Sequence, residues 1–250
     1  MWHDILEVMG DQELENSDIE LTVADIEDAY WNVPISRKER KYFCCQLRKK
    51  FFVFLRATQG SRGGPLLWAR VMALAARFGQ ATCNMLCTRI NVYVDDPIII
   101  AKGSAQTRQL GVAKILLVWM CLGMRIAWHK AQTGTTVTWT SATFMVCANS
   151  VVTKIKDEII QHIKLALLEY DTLNVITEKS LRKFTGRAVH VASLIFGWQP
   201  FVGMLWAPLC QSFNREGAPL NCIWRKQIET LFKMDSGVLV WHARHVAENL

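Results

Sequence analysis

The sequence predicts an α+β protein in which an antiparallel sheet backed by helices, over residues 21–150, precedes a mainly helical region over 151–250. Three observations carry this reading. First, Asn91-Val92-Tyr93-Val94-Asp95-Asp96-Pro97-Ile98-Ile99-Ile100 is two apolar strand segments interrupted by two adjacent acids, so a hairpin turns at the acids. Second, helix-like runs flank that hairpin, one opening at Pro65 and reaching about Leu86, the other from about Ala105 to Cys121. Third, from Thr153 the pattern becomes helical, with Ile155, Ile159, Ile160, Ile163, Leu167 and Leu168 at helical spacing.

The elements follow in order. Residues 1–20 are an acidic, polar leader with little to pack. Leu21-Thr22-Val23-Ala24-Asp25-Ile26 is a short alternating strand that ends in acid. Pro34 marks a turn, and Arg37 to Lys41 a basic loop. Tyr42–Leu47 and Phe51–Leu55 form a strand pair joined by the basic turn Arg48-Lys49-Lys50. Gln59-Gly60-Ser61-Arg62-Gly63-Gly64-Pro65 is a Gly-rich loop leading into the first helix. After the second helix, Thr135–Val146 is β-rich, with Val137, Trp139 and Phe144 as packing residues. Thr177-Glu178-Lys179-Ser180 begins a further helix that breaks at Gly197–Pro200. Helical stretches near Phe201–Ser212 and Leu220–Met234 complete the chain.

Composition narrows the function classes. With 250 residues, 51% hydrophobic and 20% charged, the chain can bury a large core, which excludes a disordered segment. A net charge of +7 favours an anionic partner such as nucleic acid, the other reading being a soluble surface rich in Lys and Arg. The eight cysteines form no CxxC and no zinc-like Cys/His spacing, so reduced core thiols in an intracellular protein, cytoplasmic or nuclear, are expected. The start lacks the basic and apolar regions of a signal peptide. The longest apolar run, Ile115–Gly123, is too short to span a bilayer, so no membrane partner is expected.

The paired acids are the chemical signal. Two neighbouring anions repel unless a cation lies between them, and carboxylate oxygens suit Mg²⁺. An exposed Asp-Asp turn is the plain alternative.

Three blocks in order decide between them. Val23-Ala24-Asp25-Ile26-Glu27-Asp28-Ala29-Tyr30-Trp31-Asn32-Val33-Pro34 resembles the first catalytic block of reverse transcriptases. Gln59-Gly60 through Pro65 is similar to the second block, and Tyr93-Val94-Asp95-Asp96 matches the Tyr-x-Asp-Asp block. Gly123–Lys130 resembles the next block, and Val137-Thr138-Trp139-Thr140 the hairpin that grips the primer. Leu181-Arg182-Lys183-Phe184-Thr185-Gly186 and Ala207-Pro208-Leu209 resemble the segment after the palm in long-terminal-repeat and tyrosine-recombinase retroelements. The likeness covers roughly residues 21–210, and agreement of order and spacing raises it above any single motif.

The resemblance implies a polymerase palm over 21–150 and a thumb- or connection-like region over 151–250. It implies an RNA-directed DNA polymerase joining a dNTP to the 3′-hydroxyl of a primer on an RNA or DNA template. Asp25, Asp95 and Asp96 would hold two Mg²⁺ ions, with Mn²⁺ as a substitute, and Lys130 would give a proton to pyrophosphate. Tyr30 would exclude a 2′-hydroxyl, and Gln59, Gly60 and Tyr93 would stand around the nucleotide. Trp139 would support the primer end, and Arg48, Lys49 and Lys50 would track the phosphate backbone. Each has a plainer alternative: a core aromatic for Tyr30 and Trp139, a ligand-free Gly-rich turn at Gln59, solvated cations elsewhere. Departures from the family pattern are the few residues before Asp25, where a fingers region stands in relatives, Pro97 directly after the acids, and Ser141 in place of Gly. They support a second reading, a silent, truncated remnant that binds nucleic acid without polymerising.

Overall fold

The computed structural model describes residues 7–8, 18–61, 63–147, 150–172, 175–192, 202–203, 205–206, 218–219 and 238–242. Its central strand pair follows from two apolar runs. Strand β1 (Ile19–Val23) is buried along nearly its whole length. Strands β2 (Cys44–Leu47), β3 (Lys50–Val53) and β4 (Thr88–Tyr93) precede β5 (Asp96–Lys102), whose Ile98, Ile99 and Ile100 are fully buried. A run buried on both faces belongs in the middle of a covered sheet, and β5 lies there. β1 pairs antiparallel with β5, with Val23 opposite Ile98, and β4 pairs with β5, with Tyr93 opposite Asp96. The short strand β6 (Gln132–Gly134) completes the order β4-β5-β1-β6.

Two helices back this sheet. α1 (Gly64–Ala81) supplies Trp68, Met72 and Ala75 to the core, and α2 (Ala105–Cys121) supplies Ile115 and Trp119, which meet Ile99 of β5. The Trp119 indole N–H donates to the Ala75 carbonyl at 3.1 Å, tying the helices together. Gly79 allows the close approach: a Cβ there would lie 3.2 Å from both Ile115 and Ile90. α2 starts at Ser104, whose hydroxyl accepts the Thr107 N–H. α1 is shorter than its apolar run predicts. It stops at Ala81 because the Thr82 hydroxyl bonds the Gly79 carbonyl and Asn84 Oδ1 accepts the Leu86 N–H, turning the chain before β4.

Two further hairpins leave the sheet. The β2–β3 turn, Arg48-Lys49, has both residues left-handed (φ 49° and 62°), and every strand residue of this hairpin is exposed. Strands β7 (Thr136–Trp139) and β8 (Ala142–Cys147) meet at Thr140-Ser141, also left-handed (φ 46° and 66°), but here Val137, Trp139 and Phe144 are buried.

Compact units divide at Val152/Thr153: Met1–Val152 with Val240–Leu250, and Thr153–Leu239. Ile155, expected in a helix, instead ends strand β9 (Ser150–Ile155), where Val151, Thr153 and Ile155 alternate as buried residues. The second unit then contains α3 (Asp157–Thr172), β10 (Val175–Ile176) and α4 (Glu178–Ala192), with Tyr170 packed edge-on against Phe184 at 5.5 Å. Ala218–Pro219 and Val238–His242 are short strands on either side of the helix expected over Leu220–Met234, within a region expected to be mainly helical. The predicted break at Gly197–Pro200 and the whole of the helix predicted at Leu220–Met234 lie outside the described residues, and within Phe201–Ser212 only residues 202–203 and 205–206 are described, both helical.

The cysteines need correction. The six described ones are free, but Cys44, Cys45, Cys121 and Cys147 are exposed rather than in the core, because they lie on the open hairpin, at a helix end and at a strand end. Among the described residues no helix is long and apolar enough to cross a membrane.

Candidate active site

Asp25 stands two residues past the end of β1 and is fixed through its backbone. The Ala24 N–H donates to the Pro97 carbonyl at 3.2 Å, and the Ala127 N–H donates to the Asp25 carbonyl at 2.9 Å. With both neighbours paired, the Asp25 side chain is left a quarter exposed at the end of the sheet. Across the β1–β5 ladder, Asp95 lies in the two-residue β4–β5 turn and Asp96 opens β5. That turn requires Val94 at φ +56°, an uncommon conformation for a β-branched residue, which persists only where flanking structure enforces it.

Tyr30 sits on a single 3₁₀ turn, Ala29–Asn32, braced by the Asn32 amide, which donates to the carbonyls of Glu27 and Asp28. Its ring rests over Gly64, where a Cβ would lie 3.2 Å away. Lys130 closes the opposite side from a 3₁₀ turn, Trp128–Lys130, and its ammonium donates to Asp25 Oδ2 at 2.5 Å.

Together these elements enclose a cleft of about 430 Å³ lined by Asp25, Tyr30, Gln59, Asp95, Asp96 and Lys130 among others. The cleft is electrostatically negative. Burial, then the charges of Asp95 and Asp25, push the Asp96 carboxyl above its ordinary value, against the pull of Lys130. The bond to Asp25 and that carboxylate's charge raise the Lys130 ammonium. Burial, then Asp95, raises the Tyr30 phenol.

Gly60, Tyr93, Trp139, Arg48, Lys49 and Lys50 do not line this cleft. Gly60 is in the open loop at φ +84°, and Tyr93 ends β4 with its side chain exposed. Arg48, Lys49 and Lys50 are on the exposed β2–β3 hairpin. Trp139 is buried, its ring edge-on to Phe144 and its indole N–H bonded to the Asp96 carbonyl at 2.9 Å. The structure adds Glu27, Asp28 and His129 to the cleft, none of which the sequence reading singled out. Each directly neighbours a singled-out residue or lies within its block, which was the available signal. Arg125 pairs with Asp28 at 2.8 Å.

The donor set suits a hard divalent cation: five acidic residues, Asp25, Glu27, Asp28, Asp95 and Asp96, line one cleft, and Asp96 feels the charges of Asp95 and Asp25, which Lys130 offsets only in part. As the side chains stand, no three acids, histidines or cysteines among the described residues form a ready chelating group, and Lys130 is the cation on Asp25.

Comparison with known proteins settles the family. Residues 4–186 match the family "Reverse transcriptase (RNA-dependent DNA polymerase)". The chain belongs to the reverse transcriptase family. Reverse-transcriptase domains generally use divalent metal ions, in keeping with the carboxylates of the cleft. Similar solved structures are foamy viral protease–reverse transcriptases. One bound to an RNA/DNA hybrid is 14% identical with a TM-score of 0.56, covering 92% of this chain and 29% of that one. Another, in complex with double-stranded DNA, is also 14% identical at a TM-score of 0.56, covering 85% of this chain and 34% of that one. At this identity the likeness shows the fold, that of a reverse-transcriptase palm. The chain spans well under half the length of these structures. No curated protein matches.

Proposed function

We propose that the chain acts as the catalytic palm of an RNA-directed DNA polymerase of the Tyr-Val-Asp-Asp type, adding deoxynucleotides to the 3′-hydroxyl of a primer paired with RNA or DNA. The observation that carries this is the convergence of Asp25 from one strand and Asp95-Asp96 from the adjoining hairpin on one cleft that also holds Tyr30, Gln59 and Lys130. Complexes of the foamy viral structures with double-stranded DNA and with an RNA/DNA hybrid support the choice of partner.

In this reading Asp25, Asp95 and Asp96 hold Mg²⁺, two ions, with Mn²⁺ able to replace it. When bound, the ions supply charge stabilisation for the attacking and leaving oxygens of an in-line displacement. The remaining steps belong to side chains. Tyr30, set at the cleft wall by Gly64, limits the room beside the sugar and rejects a 2′-hydroxyl. Gln59 faces the same space from the loop before α1 and can hydrogen-bond the nucleotide. Lys130, an exposed ammonium paired with Asp25 at the cleft, would donate its proton to the departing pyrophosphate. Arg48, Lys49 and Lys50 attract the template–primer backbone from the exposed hairpin.

Primer extension on RNA and DNA templates with Mg²⁺ or Mn²⁺ tests the reading. Asp95→Asn should lower the rate by about 100-fold or more, as expected when several kcal/mol of charge stabilisation disappear. Extension that proceeds equally in parent and variant would place the chemistry elsewhere.

A further inference from the structure

The β4–β5 hairpin carries Asp95 and Asp96 at its tip, yet its own backbone holds that tip poorly. Val94 adopts φ +56°, where a β-branched side chain crowds the backbone. Pro97, next to the acids, has no N–H to donate, so the end of β5 has one tie fewer than an ordinary strand. A strained tip with a missing donor needs a hold from outside the hairpin.

Trp139 supplies one. Its indole N–H, a donor with no acceptor capacity of its own, reaches the Asp96 carbonyl at 2.9 Å across 43 residues of sequence. The ring that carries this donor is 6% exposed and packs edge-on against Phe144 of β8 at 6.0 Å, so its direction is fixed. The strand beneath it is fixed too. The Gln132 side chain of β6 accepts the Thr138 N–H at 2.9 Å and donates to the Thr138 carbonyl at 3.3 Å, clamping β7 beside the central sheet one residue before Trp139.

We propose that Trp139 is a positioning residue for the acidic turn: its indole N–H sets where Asp95 and Asp96 stand, and it couples the β7–β8 hairpin to the carboxylates. A buried ring gives no stacking face to a primer, so this role differs from direct support of nucleic acid. The hydrogen bond stands apart from the polymerase reading; only its consequence for cation binding rests on it. Coupling of this kind is reciprocal, so a ligand that shifts β7–β8 also shifts the affinity of the acids for a divalent cation.

The test begins with backbone hydrogen exchange in the metal-free protein. Trp139→Phe keeps a ring against Phe144 and removes the donor. It should raise exchange at Val94, Asp95 and Asp96 by about tenfold, the scale of one lost hydrogen bond, while the β7–β8 amides change little. Phe144→Leu leaves the donor and loosens the packing that aims it, so it should raise exchange mainly in β7–β8 and at Val94, Asp95 and Asp96 by less than Trp139→Phe does. Replacing the indole of Trp139 with benzothiophene, which removes little but the N–H, asks the same question if Trp139→Phe unfolds. An exchange increase confined to β7–β8, or the same pattern for both substitutions, would overturn the proposal. A Mn²⁺ titration supplies the functional readout: binding should weaken several-fold in Trp139→Phe and by a smaller factor in Phe144→Leu, which keeps the donor. Unchanged Mn²⁺ affinity in Trp139→Phe beside a binding parent would also overturn it. A parent that binds no Mn²⁺ would instead defeat the polymerase reading, and the exchange pattern alone would decide the positioning role.

Discussion

The β4–β5 and β2–β3 hairpins use the same local device and end in opposite circumstances. Each joins antiparallel strands through two residues with at least one in the left-handed region, without glycine. In β4–β5 the strand after the turn is buried on both faces, pairs with β1 along one edge and meets α1 and α2 through Ile99, and the acids Asp95 and Asp96 stand at the turn and at the first residue of that strand. In β2–β3 every strand residue is exposed, including Phe51 at 74%, and the turn carries Arg48 and Lys49. Turn chemistry can make a hairpin, but a two-stranded ribbon alone is marginal in water. Burial decides which hairpin can hold charged groups at fixed positions and which can only present them.

The largest way to break this contrast is in the two strands themselves. Ile99→Ala removes a fully buried side chain from the centre of the sheet and should cost about 2–5 kcal/mol of unfolding free energy. Phe51→Ala removes a larger side chain from the open hairpin and should change stability by less than about 0.5 kcal/mol. Denaturant unfolding of both variants reads the difference. Comparable losses would show that the β2–β3 hairpin is covered in solution.

At the cleft, Tyr30→Ala sharpens the comparison by testing whether a side chain fixed by burial selects a substrate. The ring rests against Gly64 and lines the cleft with the acids, and removing it opens space there. The ratio of ribonucleotide to deoxynucleotide incorporation should rise by at least about tenfold, with overall nucleotide binding less affected. An unchanged ratio would make Tyr30 a packing residue only.

What the sequence revealed follows the same line. The β4–β5 turn was legible because two acids interrupt apolar runs, and α2 because its apolar run extends over residues 105–121, where the helix lies. The β9 strand was missed because Ile155, Ile159 and Ile163 also fit a helical period. Its true signal was the alternation of Val151, Thr153 and Ile155. The overrun of α1 came from reading apolar Met85 and Leu86 as helix, whereas the hydroxyl of Thr82 and the amide of Asn84 end it. In the site, Glu27, Asp28 and His129 were legible only as neighbours of Asp25 and Lys130, whereas the Trp139–Asp96 bond joins side chain to backbone over 43 residues. No local pattern encodes such a contact.

For the exposed hairpin, charge rather than packing is the variable. Replacing Arg48, Lys49 and Lys50 together with Gln should leave thermal stability within about 0.5 kcal/mol. Template–primer binding should become less salt-sensitive, the slope of log K against log salt falling in magnitude by roughly two to three for three lost cations. A stable variant with the parent slope would remove this hairpin from the nucleic-acid path.

The smallest effect separates the turns most finely, because one chemical change can be placed in both. Ser141 at φ 66° and Lys49 at φ 62° each carry a Cβ in a conformation that glycine adopts freely. Glycine relieves that crowding and loses part of the gain to the greater freedom of the unfolded chain, leaving about 0.5–1 kcal/mol in favour of the hairpin. In β7–β8 this gain should reach the whole unit, since Val137, Trp139 and Phe144 tie the hairpin into buried structure. Ser141→Gly should therefore raise the unfolding midpoint by about 2–4 °C per kcal/mol gained. In β2–β3 the strands open without disturbing the core, so Lys49→Gly should leave the midpoint where it is and raise only the exchange protection of the amides of Cys44–Val53. A midpoint that rises equally in both variants would mean that β2–β3 unfolds with the core, and that its exposed strands are held by contacts its burial does not reveal.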